Sequence, residues 1–209
     1  SEEDIIANEQ CFNDLLNLDN FTMCIQTFSD PFITCCFVSD DVVYVNLFHN
    51  ATRTHYHFLY NLEEKQIVGE VVSKVLECTN KNFPYKCFYN EERHEIYSFY
   101  RQGQSFIIKA DDVTDYSFER MTEMDLGQMF LVYNSALVAR SSSDILFFKI
   151  VKDEETGERS WKLYHTEEVR GFIYYIKGNV RIQIVTDDKI RFYLMDKDTL
   201  MPILENVMF

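Results

Sequence analysis

The sequence predicts an all-β fold of the β-propeller class, and two observations carry this prediction. Short runs of aromatic and β-branched residues alternate with polar turns, which is the pattern of antiparallel strands. Four of these runs stop on an Asp or Asn, at Asn61, Asp111, Asp153 and Asp196, and by subtraction the intervals are 50, 42 and 43 residues. A repeat of that length is typical of four-stranded propeller blades.

Each predicted blade consists of an inner strand, a hairpin and an outer strand that ends on the stop residue. The predicted inner strands are 21–28, 66–76, 116–121, 161–169 and 201–209. The predicted hairpins are 32–48, 85–100, 129–142 and 171–186, and the outer strands end the four repeats. An Asp or Asn side chain can accept hydrogen bonds from nearby backbone N–H groups and so support the turn that follows.

This register divides the chain into an N-terminal segment, four blades and a remainder. The segments are 1–19, then the blades 20–61, 62–111, 112–153 and 154–196, and finally 197–209. Because 197–209 would be the first strand of a further blade, we expect the chain to be part of a larger propeller. The alternative is an irregular β-sandwich or barrel, whose strands also recur every 8–12 residues or so.

The N-terminal segment has two interpretations. Four apolar residues lie near helical spacing, namely Ile5, Phe12, Leu15 and Leu16. Acidic residues fill the first turn and Ser1 can act as N-cap, so a short helix is predicted over 3–16. The alternative makes 13–19 the outer strand of a preceding blade, with Asp19 as its stop residue.

The composition is globular and acidic. The chain is 46% hydrophobic and has a formal net charge of −14, which disfavours nucleic acid and anionic membranes and favours basic protein surfaces. No run approaches the roughly 18 apolar residues of a membrane span, and no signal peptide is visible. The six Cys include no Cys-x-x-Cys pair, which indicates free thiols in a reducing compartment and predicts a cytoplasmic protein.

The four-strand unit that is closed by Asp or Asn resembles WD-repeat and related β-propellers over roughly residues 20–209. The sequence departs from that pattern, since it has no Gly-His dipeptide and its single Trp161 lies in a predicted inner strand. The resemblance implies a rigid platform that binds other proteins.

No arrangement of side chains predicts a catalytic, cofactor-binding or metal site. His55 and His57 share one face of a predicted strand at a spacing that can chelate zinc, with His49 nearby, but no third ligand motif follows. Ser141–Ser143 lack a nucleophile elbow, and no glycine-rich phosphate loop exists. The acidic loops are Glu91, Glu92 and Glu95, then Asp111, Asp112 and Asp115, then Asp153, Glu154, Glu155 and Glu158.

The leading hypothesis is a non-enzymatic interaction scaffold without cofactors, a subunit or segment of a larger assembly whose acidic loops meet basic partners. The alternative is a catalytic all-β propeller hydrolase with carboxylates that converge near an axial mouth. Acids scattered over rim loops would favour the scaffold, and acids that face each other in a pocket would favour the hydrolase. A third hypothesis is a structural fragment without independent activity.

Overall fold

A computed structural model describes residues 33–49, 54–75, 84–100, 104–108, 113–118, 124–176 and 181–209. Sixteen elements occur in these ranges and all are β-strands, so the all-β prediction is confirmed. The helix predicted over 3–16 and the strand predicted over 21–28 lie outside the described residues. Within the described part, no helix has the length and apolar character that crossing a membrane requires.

The strands form four consecutive antiparallel groups, named here the first to fourth sheets. The first sheet contains β1 (Ile33–Phe37), β2 (Val42–His49), β3 (Thr54–Asn61) and β4 (Gln66–Val75). The second contains β5 (Pro84–Asn90), β6 (Glu95–Tyr100), β7 (Gln104–Ile108) and β8 (Val113–Phe118). The third contains β9 (Met124–Val132), β10 (Ala136–Ser141), β11 (Ile145–Lys152) and β12 (Arg159–Glu167). The fourth contains β13 (Phe172–Ile176), β14 (Arg181–Val185), β15 (Ile190–Met195) and β16 (Pro202–Met208).

Strand order follows chain order in each sheet, so every connection within a sheet joins neighbouring strands. A short parallel pairing adds to this plan, because Ser117 and Phe118 of β8 lie opposite Ser160 and Trp161 of β12. Series of four-stranded antiparallel sheets are the arrangement found in propeller blades.

The predicted phase of the repeat is wrong by one strand. Asp196 lies between β15 and β16, and these two strands pair antiparallel from Ile190 opposite Met208 to Met195 opposite Pro202. The segment 201–209 therefore completes a sheet and does not begin one. The sheets span 33–75, 84–118, 124–167 and 172–208, whereas the blades were predicted at 20–61, 62–111, 112–153 and 154–196. A turn that begins with Asp has the same local sequence whether it joins two strands of one sheet or the last strand of one sheet to the first of the next. Only the pairing of strands distant in sequence distinguishes the two cases.

The chain divides into two compact units. The first unit comprises residues 1–101 and 106–114, and the second comprises 102–105 and 115–209. In the first unit, β2 buries both of its faces: Val43, Val45 and Leu47 point to one side, and Tyr44 and Phe48 point to the other. A strand that is apolar on both faces requires cover on both sides.

In the second unit, the third and fourth sheets pack against each other. Val138 and Phe147 of the third sheet join Ile173, Ile182 and Ile184 of the fourth in one buried cluster. Full burial of each such side chain contributes about 1.5–3 kcal/mol. Hydrogen bonds also join the two sheets: the Tyr133 hydroxyl donates to the Met195 carbonyl at 3.1 Å, and the Tyr164 hydroxyl donates to the Leu200 carbonyl at 2.6 Å.

A glycine precedes the fourth sheet at a point of close approach. A Cβ at Gly171 would lie 2.6 Å from the backbone oxygen of Val185, which is too short for any other residue type. The small residue lets the chain enter β13 beside β14.

Candidate functional site

Four turns of the molecule share one side-chain motif. Asn61, Asn90, Asp153 and Asp196 each follow or end a strand, and each Oδ1 accepts hydrogen bonds from the backbone N–H groups two and three residues later. The shorter N···O distance of each pair is 2.9 Å at Asn61, 3.1 Å at Asn90, 2.8 Å at Asp153 and 2.7 Å at Asp196. The predicted turn-supporting role of Asn61, Asp153 and Asp196 is therefore confirmed, although these turns lie inside the sheets.

The same four turns share a backbone feature that the sequence did not reveal. The fourth residue after each Asn or Asp has a positive φ, namely Lys65, His94, Gly157 and Leu200, at 56°, 53°, 72° and 58°. Only Gly adopts this conformation without strain. Because three of the four positions carry other residue types, the usual glycine signal was absent.

These turns display acidic side chains to solvent. Exposed carboxylates within them are Glu63, Glu64, Glu91, Glu92, Asp153, Glu154, Glu155, Glu158 and Asp198. The predicted acidic loops at 91–92 and 153–158 thus lie in exposed turns. Asp111 and Asp112 are outside the described residues, and Asp115 lies on β8, where side chains are not described.

Glu95 was predicted to lie in an acidic loop, and the structure places it in a strand instead. It is the first residue of β6, it is buried, and its Oε2 accepts a hydrogen bond from the Tyr97 hydroxyl at 3.3 Å. Asn90 donates to the same hydroxyl at 2.9 Å, so this carboxylate belongs to an internal polar network. Its position directly opposite Asn90 in the ladder takes it out of the turn.

Backbone hydrogen bonds favour the charged form of the turn aspartates. Backbone N–H groups, that of Thr156 at Asp153 and that of Thr199 at Asp196, lower the pKa of each carboxyl below its ordinary value. The same hydrogen bonds fix the position of each carboxylate.

The acids are distributed over separate turns. Glu63 lies in a turn of the first sheet, Glu92 in the second, Glu155 in the third and Asp198 in the fourth. Within the part of the chain that the structure describes, no three His, Cys, Asp or Glu side chains come together in a way that could hold a metal ion.

Of the histidines at the zinc-chelating spacing, the structure describes the side chain of His57. The His57 side chain is buried, its Nδ1 lies 2.6 Å from the Tyr44 hydroxyl, and the two rings are stacked. His57 is therefore a core residue and not the exposed histidine that a solvated outer strand would have. His55 and His49 lie on β3 and β2, and their side chains are not described.

Ser141 has a structural role, and three of the cysteines lie among the described residues. Ser141 Oγ accepts a hydrogen bond from the Asp144 N–H at 3.0 Å and so supports the turn between β10 and β11. Cys35, Cys36 and Cys87 are free thiols. Burial raises the pKa of the Cys35 and Cys87 thiols, which disfavours the reactive thiolate.

Comparison with known proteins shows a similarity of fold alone. No family model matches the sequence, and no curated protein matches it closely enough to count as a relative. A provisionally assigned 6-phosphogluconolactonase from Bacteroides uniformis is similar in structure, with a TM-score of 0.53 at 11% identity over 82% of this chain and 53% of that one. A protein from Lactobacillus plantarum has a TM-score of 0.53 at 12% identity over 85% of this chain and 55% of that one.

A more distant similarity is to the β-propeller domain of Cps50 (Swd1) from Myceliophteria thermophila. Its TM-score is 0.44 at 12% identity, over 79% of this chain and 54% of that one. The chain spans about half the length of the solved structures from Bacteroides uniformis and Lactobacillus plantarum. The described part of the chain is all-β.

Proposed function

We propose that the chain is a non-enzymatic protein-interaction scaffold, a segment of a WD-like β-propeller within a larger assembly. One observation carries the proposal: acids lie on separate turns, and the backbone fixes each of these turns in the same way. Rigid turns can present charge to a partner without a large cost in conformational entropy. In a chain of net charge −14, the partner surface that fits them is basic.

A synthetic Lys/Arg-rich peptide of about 15 residues is a suitable probe. The turn 153–158 of the third sheet offers the densest charge, because Glu154, Glu155 and Glu158 are all exposed. We expect E154Q/E155Q/E158Q to weaken peptide binding several-fold while Asp153, which holds the turn, stays intact. Titration calorimetry at roughly 50 and 200 mM salt measures the affinity for the peptide and how much salt weakens it.

The matched control neutralises two exposed acids of a turn without the motif, Asp187 and Asp188, which join β14 to β15. If D187N/D188N weakens binding as much as the triple variant does, net charge alone acts and the turns are not specific surfaces. If the wild type binds no basic peptide, the basic-partner proposal is wrong.

As a second proposal, the chain is part of an all-β propeller hydrolase, because one similar structure is a provisionally assigned 6-phosphogluconolactonase. It predicts turnover of a sugar-phosphate lactone by the purified chain, followed as acid release. Turnover that survives neutralisation of the exposed turn acids would favour this alternative, since those acids lie on separate turns.

A further inference from the structure

Two thiols that are distant in sequence meet within the first compact unit. Cys36 lies on β1 of the first sheet and Cys87 on β5 of the second, and by subtraction they are 51 residues apart. Both strands belong to the first unit, where β1 lies next to β5. Cys87 forms a buried cluster with Tyr44 and Ile96, and Cys36 packs against this cluster. A hydrogen bond joins the side chains of Cys36 and Cys87.

The strand register explains why these two thiols meet. Cys36 lies opposite Tyr44 of β2, and Cys87 lies opposite Ser98 of β6. Asn46, two residues after Tyr44 on the same face of β2, donates a hydrogen bond to Ser98 Oγ at 2.8 Å. This bond joins the first and second sheets beside both cysteines. The buried neighbours of each thiol therefore hold the pair together.

The adjacent Cys35 does not belong to this pair. Consecutive side chains of a strand point to opposite faces, so Cys35 and Cys36 lie on different sides of β1. Cys35 packs against the buried cluster that contains Val43 and Val45. Of the three cysteines that the structure describes, Cys36 and Cys87 are therefore the two that can react with each other.

The two thiols of the pair differ in their access to solvent. Cys36 is partly exposed, whereas Cys87 is 5% exposed. Burial raises the pKa of the Cys87 thiol well above its ordinary value, and the hydrogen bond to Cys36 raises it further. Cys87 is therefore protonated at neutral pH and shielded from solutes, and a small oxidant reaches the Cys36 sulfur first.

We propose that Cys36 and Cys87 are a redox-active pair, which hydrogen peroxide converts into a disulfide between the first and second sheets. In the first step the Cys36 thiolate attacks one peroxide oxygen and the O–O bond breaks. Cys36 becomes a sulfenic acid, and the leaving hydroxide takes up the thiol proton as one water. In the second step the Cys87 sulfur attacks the Cys36 sulfur and the S–O bond breaks. The hydroxyl group leaves with the Cys87 proton as a second water, so the two thiols together give two electrons to peroxide.

The disulfide would cross-link two sheets that packing alone holds together in the reduced protein. Its sulfur atoms must approach to about 2 Å, which thiols in contact reach by rotation of their side chains. A bond between residues 51 apart restricts the unfolded chain and so stabilises the folded one. The pair is therefore a reversible switch in the stability of the first unit. It is independent of the acidic turns in the proposed scaffold function.

Peptide mapping by mass spectrometry tests the proposal on the full chain, which is first reduced and then treated with a small molar excess of hydrogen peroxide. The oxidised wild type should yield two peptides joined through Cys36 and Cys87, and dithiothreitol should separate them. Oxidation should also raise the midpoint of thermal denaturation by about 5–10 °C, and reduction should reverse this rise.

Three single variants separate the pair from its neighbour. C36A should give neither the link nor the rise in midpoint. The matched control C35A removes the adjacent thiol on the opposite face of β1 and should keep both. In C87A the sulfenic acid at Cys36 lacks its second thiol and should be trapped by dimedone. Circular dichroism confirms that each variant is folded.

Four results would overturn the proposal: a wild type that keeps both thiols under peroxide, a link from Cys36 to another cysteine, a link that forms only between two copies, or loss of the link in C35A. The mapping of the wild type needs no variant, so the proposal can fail even if a variant does not fold. A folded C36A variant should still bind the basic peptide, so a failure of the thiol pair and a failure of the scaffold are distinguishable.

Discussion

The first and fourth sheets have the same strand order and the same turn between their last two strands, yet their faces differ. β2 of the first sheet buries Val45 on one face and Tyr44 and Asn46 on the other. β15 of the fourth sheet buries Tyr193 on one face only. Between Val42 and Phe48, β2 has one polar residue, Asn46, and between Ile190 and Met195, β15 has one, Arg191. Such a run therefore indicates a strand but not how many of its faces are covered.

The first and fourth sheets also differ in the polar side chains that they bury. The buried faces of the first sheet contain Asn46, which donates to Ser98 Oγ at 2.8 Å, and His57, which contacts the Tyr44 hydroxyl. Among the side chains that the structure describes, the buried face of the fourth sheet contains apolar residues and Tyr193, together with the partly buried Arg191 opposite Ile184. Polar pairs in a core fix one arrangement of its strands, because a mispaired partner would lose its hydrogen bond.

The largest expected effect contrasts the two faces of the fourth sheet. Ile184→Ala removes a fully buried side chain and should lower the free energy of unfolding by about 2–5 kcal/mol. Ile203→Ala, the same change on the opposite face of that sheet, where Ile203 is 48% exposed, should alter it by less than about 0.5 kcal/mol. Urea denaturation measures both. A comparable loss at Ile203 would show that this side chain is packed in solution.

The second-largest expected effect contrasts a turn of the first sheet with a turn of the fourth sheet. Lys65 and Leu200 both have positive φ, but Lys65 is exposed whereas Leu200 packs against the buried cluster of the second unit. Lys65→Gly should raise the free energy of unfolding by about 1 kcal/mol, because strain is relieved. Leu200→Gly should give no gain, since lost packing offsets the relief. Thermal denaturation compares them, and an equal gain at both sites would contradict the packing of Leu200.

Much of the fold could be predicted from the sequence because strands are local. Ile190, Phe192 and Leu194 alternate, and the structure places them in β15. The partner of β15 was not predictable, since Asp196 makes the same turn at either kind of boundary. Burial of Glu95 was also missed, because three acids in one stretch look like a solvated loop until the register puts Glu95 opposite Asn90.

The smallest expected effect concerns the turn charge in the fourth sheet. Backbone hydrogen bonds lower the pKa of Asp196 in the folded state, so its ionised form contributes stability above its ordinary pKa of 3.8, and this is lost as the pH falls through the folded value. Asp196→Asn should keep the turn, because Asn61 and Asn90 make the same contacts, but remove this part of the pH dependence. Denaturation midpoints between about pH 6 and pH 2 measure the difference between the two proteins. If the midpoints of the two proteins change with pH in parallel, the charge of Asp196 contributes nothing to stability. The turn would then owe its order to the hydrogen bonds that the side-chain oxygen accepts, which Asn makes equally well.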